Sequence, residues 1–239
     1  MTGWLPGRSA PRRTPSAAGA APAQLAAARQ AVSLLLGYPD KALLGRLPLL
    51  RAAVAPLPVE LAGPLGRLLD HVETTPLDQL QPEYVETFDL RRRCCLYLTY
   101  FRYGDTRKRG MALLQFKHLY QRAGLVLADG ELPDHLAVVL EFAATGDTER
   151  GERLLREHRP ALETIRIALE ERSSPYAWAL QAVSATLPPV HAADREAVLR
   201  LAREGPPTEE VGLDPYGAAP FAPPEHIPPP ALPRTGAPA

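Results

Sequence analysis

The hydrophobic positions of this chain recur with the period of an α-helix through most of residues 22–204. Apolar side chains at intervals of three and four residues form stripes within 25–35, 61–69, 136–143 and 154–169. The last stripe predicts one long helix, and two shorter helices are expected around 178–183 and 199–201. Strand-like alternation is nearly absent. The pattern predicts an all-α fold of about eight to ten helices in one bundle-like domain.

Several positions carry signals for the ends of these helices. Gly37 is expected to stop the first helix. Thr75 and Pro76 fit the cap and first residue of a later helix, with Asp78 in the position of a capping box. Asp134, after Pro133, would place a carboxylate at the positive end of a helix dipole.

The two ends of the chain differ from its middle in composition. Residues 1–21 are rich in Pro, Ala, Gly and Arg and are predicted to form a flexible arm. Residues 205–239 are dense in proline, which cannot sustain helix or sheet hydrogen bonding. We therefore expect a helical domain over 22–204 between a disordered arm and a disordered proline-rich tail.

Charge and cysteine content narrow the class of protein. The 27 basic and 27 acidic residues balance, so no global field draws the chain to nucleic acid or to a membrane. The two cysteines, Cys94 and Cys95, are adjacent, which disfavours a structural disulfide and suits a reducing compartment. No segment reaches the roughly 18 apolar residues that span a bilayer. A cytoplasmic protein without integral membrane insertion is expected.

Aromatic residues are concentrated in residues 83–144. Tyr84 and Phe88 are four residues apart, so they should stack on one face of a helix. Leu96, Tyr100 and Tyr103 are expected to do the same on the next helix. Core packing explains any one of these rings, whereas several tyrosines together favour a groove that meets a partner.

The same block holds a dense basic cluster. Its members are Arg91, Arg92, Arg93, Arg102, Arg107, Lys108, Arg109, Lys117 and Arg122. A solvated helix face, a nucleic-acid surface and a surface for an acidic or polar protein are the three interpretations. Acid-rich flanking segments neutralise the domain and weaken the nucleic-acid interpretation.

Catalytic and metal-binding patterns are missing from the sequence. There is no CxxC, HExxH, GxxxxGK or GxGxxG pattern, and no serine lies in a nucleophile elbow. His135 follows Asp134 and lies four residues after Glu131, but a metal site would need a further donor. We predict no catalytic residue, no metal and no cofactor of its own. A small hydrolase or metalloenzyme would require turnover or metal that the sequence does not predict.

Two runs resemble a known family. They are YVETFDLRRRCCLYLTYFRYGDTRKRGMALLQFKHLYQRAG at 84–124 and ELPDHLAVVLEFAA at 131–144. Together they resemble the nitrate reductase molybdenum cofactor assembly chaperones, the NarJ type, also called the delta subunit of respiratory nitrate reductase. The resemblance covers roughly residues 31–187 and includes LLGYP at 35–39.

This resemblance implies a fold and a function. The family fold is one all-helical domain shared with other redox-enzyme maturation chaperones. Its members bind the apo catalytic (alpha) subunit of a membrane-bound nitrate reductase, partly through the N-terminal segment of that subunit. They keep it competent for insertion of the molybdopterin guanine dinucleotide cofactor and do not join the finished enzyme. The alternative is a basic helical nucleic-acid-binding regulator, for which steeply salt-dependent DNA binding would be expected.

The resemblance also implies a peptide-binding site. Residues 131–136 match the acidic-Pro-Asp-His motif of the wider chaperone group, which makes Asp134 and His135 candidates. The candidates from the aromatic segments are Tyr84, Phe88, Asp89 and Tyr100.

Local carboxylates suggest the charge of the bound peptide. Carboxylates flank the aromatic residues and could complement a basic client peptide; they are Glu83, Glu86, Asp89, Asp134 and Glu141. Gly104 and Asp105 match a Gly-Asp-Thr-Arg turn of the family, which we expect to be architectural.

Overall fold

The computed structural model describes residues 17, 19–128, 130–189 and 192–204. These residues contain eleven α-helices. They are α1 (Pro22–Leu35), α2 (Lys41–Val54), α3 (Val59–Thr74), α4 (Leu77–Tyr84), α5 (Tyr100–Tyr103), α6 (Arg107–Arg122), α7 (Leu136–Glu141), α8 (Thr148–Glu157), α9 (Arg159–Glu171), α10 (Ala177–Ala185) and α11 (Ala192–Glu204). These residues contain no strand, so the all-α prediction is confirmed, with one helix more than expected. The predicted tail, and residues 1–16 and 18 of the predicted arm, lie outside the described residues.

The core is centred on α10. This helix packs against α3, α9 and α1. Its alanines are short enough to let neighbouring backbones approach closely, and Ala179, Leu180 and Ala182 are fully buried. The periodicity around residue 178 therefore marks a helix enclosed by its neighbours.

A buried arginine fastens α1 to the rest of the bundle. Arg29 is 1% exposed, and its guanidinium donates to the carbonyl of Thr186 over 3.2 Å. It also pairs with Glu152 of α8 at 3.2 Å. A buried charge is tolerated only when such partners replace water. The middle of α1 is thereby held against α8 and the residue that follows α10.

The chain between α4 and α5 is irregular. It passes through a π-helical turn at Val85–Asp89 and a 3₁₀ turn at Arg92–Cys94. Tyr97 then forms an antiparallel bridge with His135. The predicted helix joining Leu96 to Tyr100 is therefore wrong, because Tyr97 pairs with His135 and α5 begins only at Tyr100.

Two predicted helix boundaries are also wrong. The long helix over 154–169 is divided at His158, since Pro160 has no N–H to donate to the carbonyl of Arg156. Thr75 does not cap α4. It closes α3, and Pro76 occupies the cap position of α4 without a side-chain bond.

Two positions require glycine, one for its backbone conformation and one for close packing. Gly104 follows α5 with φ of +57°, a conformation that L side chains rarely adopt, which agrees with an architectural turn. A Cβ at Gly151 would collide with Ala143, so a side chain there would push α8 off the π-helical turn at Phe142–Gly146.

Among the described helices, none combines the length and apolar character needed to cross a membrane.

Candidate functional site

A groove of about 430 Å³ opens between the C-terminal end of α1, the start of α2, α7 and the loop before α7. Its lining residues are Ser33, Leu34, Gly37, Tyr38, Asp40, Leu43, Arg46, Tyr84, Tyr97, Gly130, Glu131, Leu132, His135, Ala137, Val138 and Glu141. Three acids and one arginine are among them, so we call it the acidic groove. Ser33 donates to the carbonyl of Ala137 over 2.7 Å and ties the two helical walls together.

One wall of the acidic groove is aromatic. Tyr84 is 7% exposed, and its hydroxyl donates to the carbonyl of Leu36 over 2.9 Å. Burial raises the pKa of Tyr84, so the phenol keeps the proton that it donates. Behind it, the rings of Tyr84 and Phe88 lie 4.8 Å apart, which confirms that they stack. Tyr38 meets Tyr84 edge to face at 5.6 Å while 52% of Tyr38 stays exposed.

The opposite wall is held from beneath by Asp134. This residue is fully buried, and its Oδ2 accepts bonds from the backbone N–H and the hydroxyl of Thr99. Arg109 approaches the same oxygen at 3.9 Å. The expectation that Asp134 faces the dipole of α7 is wrong, because α7 begins at Leu136 and the carboxylate bonds to Thr99 instead. Asp134 thus joins the segment before α7 to the segment before α5.

Backbone bonds complete this junction. Leu98 donates its N–H to the carbonyl of Asp134 at 3.0 Å, and Leu136 donates to the carbonyl of Leu96 at 2.8 Å. From α6, the hydroxyl of Tyr120 donates to the carbonyl of Pro133 at 2.6 Å. The loop that carries the groove's second wall is therefore anchored at several atoms.

His135 is the neutral member of this wall. Its ring lies 5.3 Å from the ring of Tyr97 in an edge-to-face arrangement. Burial lowers the pKa of His135, although the negative charges of Asp134 and Asp89 oppose the shift. The ring is therefore uncharged at neutral pH and does not offset the acids of the groove. In the described residues no cluster of three or more His, Cys, Asp or Glu side chains could hold a metal ion.

The carboxylates that line the groove are exposed and are not bound in ion pairs with described residues. Asp40, Glu131 and Glu141 are exposed, and none forms an ion pair with a described residue. As the N-cap of α2, Asp40 accepts a hydrogen bond of 2.7 Å from the backbone N–H of Leu43 through one carboxylate oxygen. This arrangement can attract and orient a cationic segment.

A second, more open groove lies beside the first. Its volume is about 790 Å³, and Tyr38 lines both grooves. Pro82, Val85 and Leu90 give it a mostly apolar surface, so we call it the apolar groove, although its lining also includes Asp78 and the ion pair of Glu86 with Arg91. Leu90 is 71% exposed and is available to a partner. A segment crossing Tyr38 would meet carboxylates on one side and apolar side chains on the other.

Comparison with known proteins identifies the family. Residues 55–181, more than half of the chain, match the sequence model of the family described as nitrate reductase delta subunit. The chain belongs to this family. The resemblance noted in the sequence is thereby confirmed.

The relatives of this delta-family protein differ in the share of their length that aligns with it. It is 41% identical over 157 residues to "Nitrate reductase-like protein NarX" of Mycobacterium tuberculosis, covering 66% of this chain but 24% of that one. It is 32% identical over 160 residues to "Probable nitrate reductase molybdenum cofactor assembly chaperone NarJ" of Bacillus subtilis, covering 66% and 86%. It is 37% identical over 150 residues to "Nitrate reductase molybdenum cofactor assembly chaperone NarJ" of Escherichia coli, covering 61% and 63%. The match thus spans about a quarter of the mycobacterial relative.

The six predicted peptide-binding residues occupy different positions around the grooves. Tyr84 and His135 line the acidic groove, and Asp134 lies beneath it. Phe88 is buried behind Tyr84. Asp89 is exposed at the end of the π-helical turn, and Tyr100 does not line either groove. Peptide contact by these residues stays a prediction, and contact by Asp134 would require its loop to move.

Sequence reasoning missed Tyr38, Asp40 and Tyr97 as site residues. A signal for Tyr38 was present, since a large aromatic between a helix-ending Gly37 and a proline has little core to fill. Tyr97 carried no such signal, because its position depends on the bridge to His135 between segments far apart in the chain.

The two cysteines have no role at this site. Neither cysteine forms a disulfide, and Cys94 is buried. Burial raises the pKa of Cys95 to about 11, so its thiol stays protonated and unreactive at neutral pH.

Proposed function

We propose that this delta-family protein is a chaperone for the apo catalytic subunit of a membrane-bound respiratory nitrate reductase. It keeps that subunit competent for molybdenum cofactor insertion and leaves before the enzyme is complete. Support comes from the family and from the names of the Bacillus and Escherichia relatives. The protein acts by binding rather than by catalysis, holds no cofactor of its own and works in the cytoplasm, where the apo subunit is synthesised.

The acidic groove is our proposed contact for the N-terminal segment of the client. The observation that carries this assignment is the set of exposed carboxylates of Asp40, Glu131 and Glu141, which outnumber the one arginine of the groove and form no ion pair with a described residue. A client segment with basic residues would supply the missing charges. Because the partners meet at a solvated rim, these charges chiefly set orientation and association rate.

The grooves also suggest the form of the bound segment. Tyr38 divides the acidic groove from the apolar groove, so a bound segment would carry bases at one end and apolar residues at the other. A client helix could lay its apolar face in the apolar groove, with its bases following along the chain towards the acidic groove. The bonds that Tyr84 donates to Leu36 and that Thr99 donates to Asp134 hold the walls before binding, which lowers the entropy lost on association.

Recovery of the client from cells tests the proposed function. Tagged protein is isolated from anaerobic, nitrate-grown cells, and bound proteins are identified together with their molybdenum content. We expect the nitrate reductase catalytic subunit without its cofactor. Recovery of only ribosomal or DNA-associated material would contradict the chaperone assignment and favour the nucleic-acid-binding alternative.

A pair of matched variants tests the groove in the same experiment. Glu131→Gln with Glu141→Gln removes two groove charges, whereas Glu157→Gln with Glu196→Gln removes two exposed charges elsewhere. Neither control residue forms an ion pair with a described residue. The groove variant should recover less client than the control variant. Equal recovery by both would show that the client binds elsewhere.

A further inference from the structure

The outer face of α6 and the residues that follow it up to Ala128 form a basic surface. Residues 106–128 contain five bases and no Asp or Glu, although the whole chain is electrically balanced. Along α6, five exposed residues recur at intervals of four and three and form one ridge: Arg107, Met111, Leu114, His118 and Arg122. Together with the exposed Lys108 and Lys117 that flank it and Val126 in the following loop, we call this the basic ridge. The opposite face of α6 buries Phe116 and Tyr120 in the core.

Large apolar side chains project from this basic surface. Met111 is 64% exposed, and Val126, in the loop after α6, is 91% exposed. Leu114 is also largely open to water. Since the other face of α6 already fills the core, these side chains are not needed for packing within the described residues.

The bases of the ridge have no partners in the described part of the chain. Arg107, Lys108, Lys117 and Arg122 form no ion pair with a described residue, whereas Arg109 is half-buried and pairs with Asp105 at 3.2 Å. Arg107 and Lys108 also lie in the first turn of α6, where the helix dipole disfavours positive charge and where acids are absent. Local helix stability therefore does not account for them, and the positive potential is concentrated on this face.

We propose that the basic ridge is a docking surface for an anionic lipid bilayer. In this arrangement the guanidinium and ammonium groups bind lipid phosphates, while Met111, Leu114 and Val126 enter the headgroup region. Bases that flank aliphatic side chains on an exposed helix face are the pattern of peripheral membrane attachment. Single-stranded nucleic acids are instead bound by aromatic side chains on which bases stack, and the exposed apolar residues here are aliphatic.

Vesicle flotation with the full chain tests the proposal. The probes are vesicles of pure phosphatidylcholine and vesicles of phosphatidylcholine and phosphatidylglycerol in equal parts. We expect binding to the anionic vesicles only, with affinity that falls as salt is added. No binding to anionic vesicles at low salt would overturn the proposal.

A charge variant and its control locate the surface. Arg107→Gln, Lys108→Gln and Arg122→Gln together should weaken anionic-vesicle binding about a hundredfold, at roughly a factor of five for each base. Lys41→Gln, Arg67→Gln and Arg200→Gln remove the same charge from exposed residues elsewhere and should change binding less than about twofold. Equal losses in the two triple variants would contradict a localised site.

An apolar variant separates a lipid surface from other polyanions. Met111→Ser with Val126→Ser should weaken vesicle binding but leave any binding to a DNA duplex or to inorganic phosphate unchanged. Leu49→Ser with Val59→Ser removes equally exposed apolar side chains from α2 and α3 as the control. Tighter binding to DNA than to vesicles, insensitive to Met111 and Val126, would replace the lipid assignment with a nucleic-acid surface. Circular dichroism confirms that each variant is folded.

Discussion

Two groups of glutamates in this protein have opposite surroundings. Glu163 of α9 is 3% exposed and accepts bonds from Arg159 at 2.9 Å, from Arg166 at 2.7 Å and from the hydroxyl of Ser184 at 2.7 Å. Glu131 and Glu141 of the acidic groove are exposed and have no described cationic partner. The same side chain thus serves structure in one region and is open to a partner in the other.

Burial decides which of these roles a carboxylate has. Burial alone would raise the pKa of Glu163, but the charges of Arg166 and Arg159 and the bond from Ser184 hold it below its ordinary value. A buried charge without such partners would be strongly destabilising, whereas an exposed carboxylate keeps its water and needs none. The buried, paired acid therefore serves architecture, whereas the exposed acids of the groove remain free to meet the proposed partner.

The largest expected effect comes from removing the buried member. Glu163→Ala leaves the buried guanidinium of Arg159 without a carboxylate and leaves Arg166 with Glu170 alone, so we expect a loss of about 3–5 kcal/mol in the free energy of unfolding. Glu141→Ala should change that energy by less than about 0.5 kcal/mol, because the side chain is exposed. Chemical denaturation measures both. Similar small losses in the two variants would remove the distinction between the regions.

Asp134 combines the features of both regions, since it is buried yet lies beneath the acidic groove. Asp134→Ala removes the bonds to Thr99, and we expect it to lower the free energy of unfolding by about 1–3 kcal/mol. It should also weaken binding of the client's N-terminal peptide, because the segment carrying His135 loses its anchor. Denaturation and peptide titration measure the two effects. Lower stability with unchanged affinity would exclude Asp134 from the site.

Tyr84 links the core to the groove wall through one hydrogen bond. Tyr84→Phe keeps the ring packing but leaves the buried carbonyl of Leu36 without its donor. We expect a loss of about 1 kcal/mol in the free energy of unfolding, measured by denaturation. Tyr38→Phe is the control, since its ring is half exposed, and it should have little effect on stability.

The smallest expected effect is a dependence of stability on pH from two buried histidines. Burial lowers the pKa of both His135 and His158 in the folded protein, so the unfolded chain binds more protons as the pH falls below about 6.5. Stability should therefore decrease as the pH drops from 7 towards 5.5, and the His135→Gln, His158→Gln double variant should show a flatter profile. Glu163 contributes only at lower pH, below its ordinary value of 4.5. An unchanged profile in the double variant would assign the dependence to other groups.

The sequence predicted the helices more accurately than their boundaries. Apolar stripes such as the one within 61–69 predicted which side chains are buried, because the apolar face of a helix packs against the core in any topology. The division at His158 depended on the missing N–H of Pro160, which the apolar stripe alone does not reveal. The bonds of the Asp134 carboxylate could not be predicted, because its partner, Thr99, lies 35 residues away and only folding brings them together.

The sequence predicted only part of the candidate site, because folding brings its other residues together from distant segments. Tyr84 and His135 were found from aromatic clustering and from the family motif, and both line the acidic groove. Tyr38 and Asp40 come from the turn between α1 and α2, far from the block that carries the motif. A groove built from distant segments cannot be assembled from local patterns.

The most direct test of the account is a calorimetric titration of the client's N-terminal segment into the wild type and into the Glu131→Gln, Glu141→Gln variant. The Glu157→Gln, Glu196→Gln variant carries the same change in net charge. We predict that the groove variant binds roughly two- to thirtyfold more weakly, since each rim charge contributes about 0.2–1 kcal/mol, and that added salt reduces the difference. The control variant should bind as the wild type does. Equal affinity for all three proteins would contradict the assignment of the acidic groove as the client site.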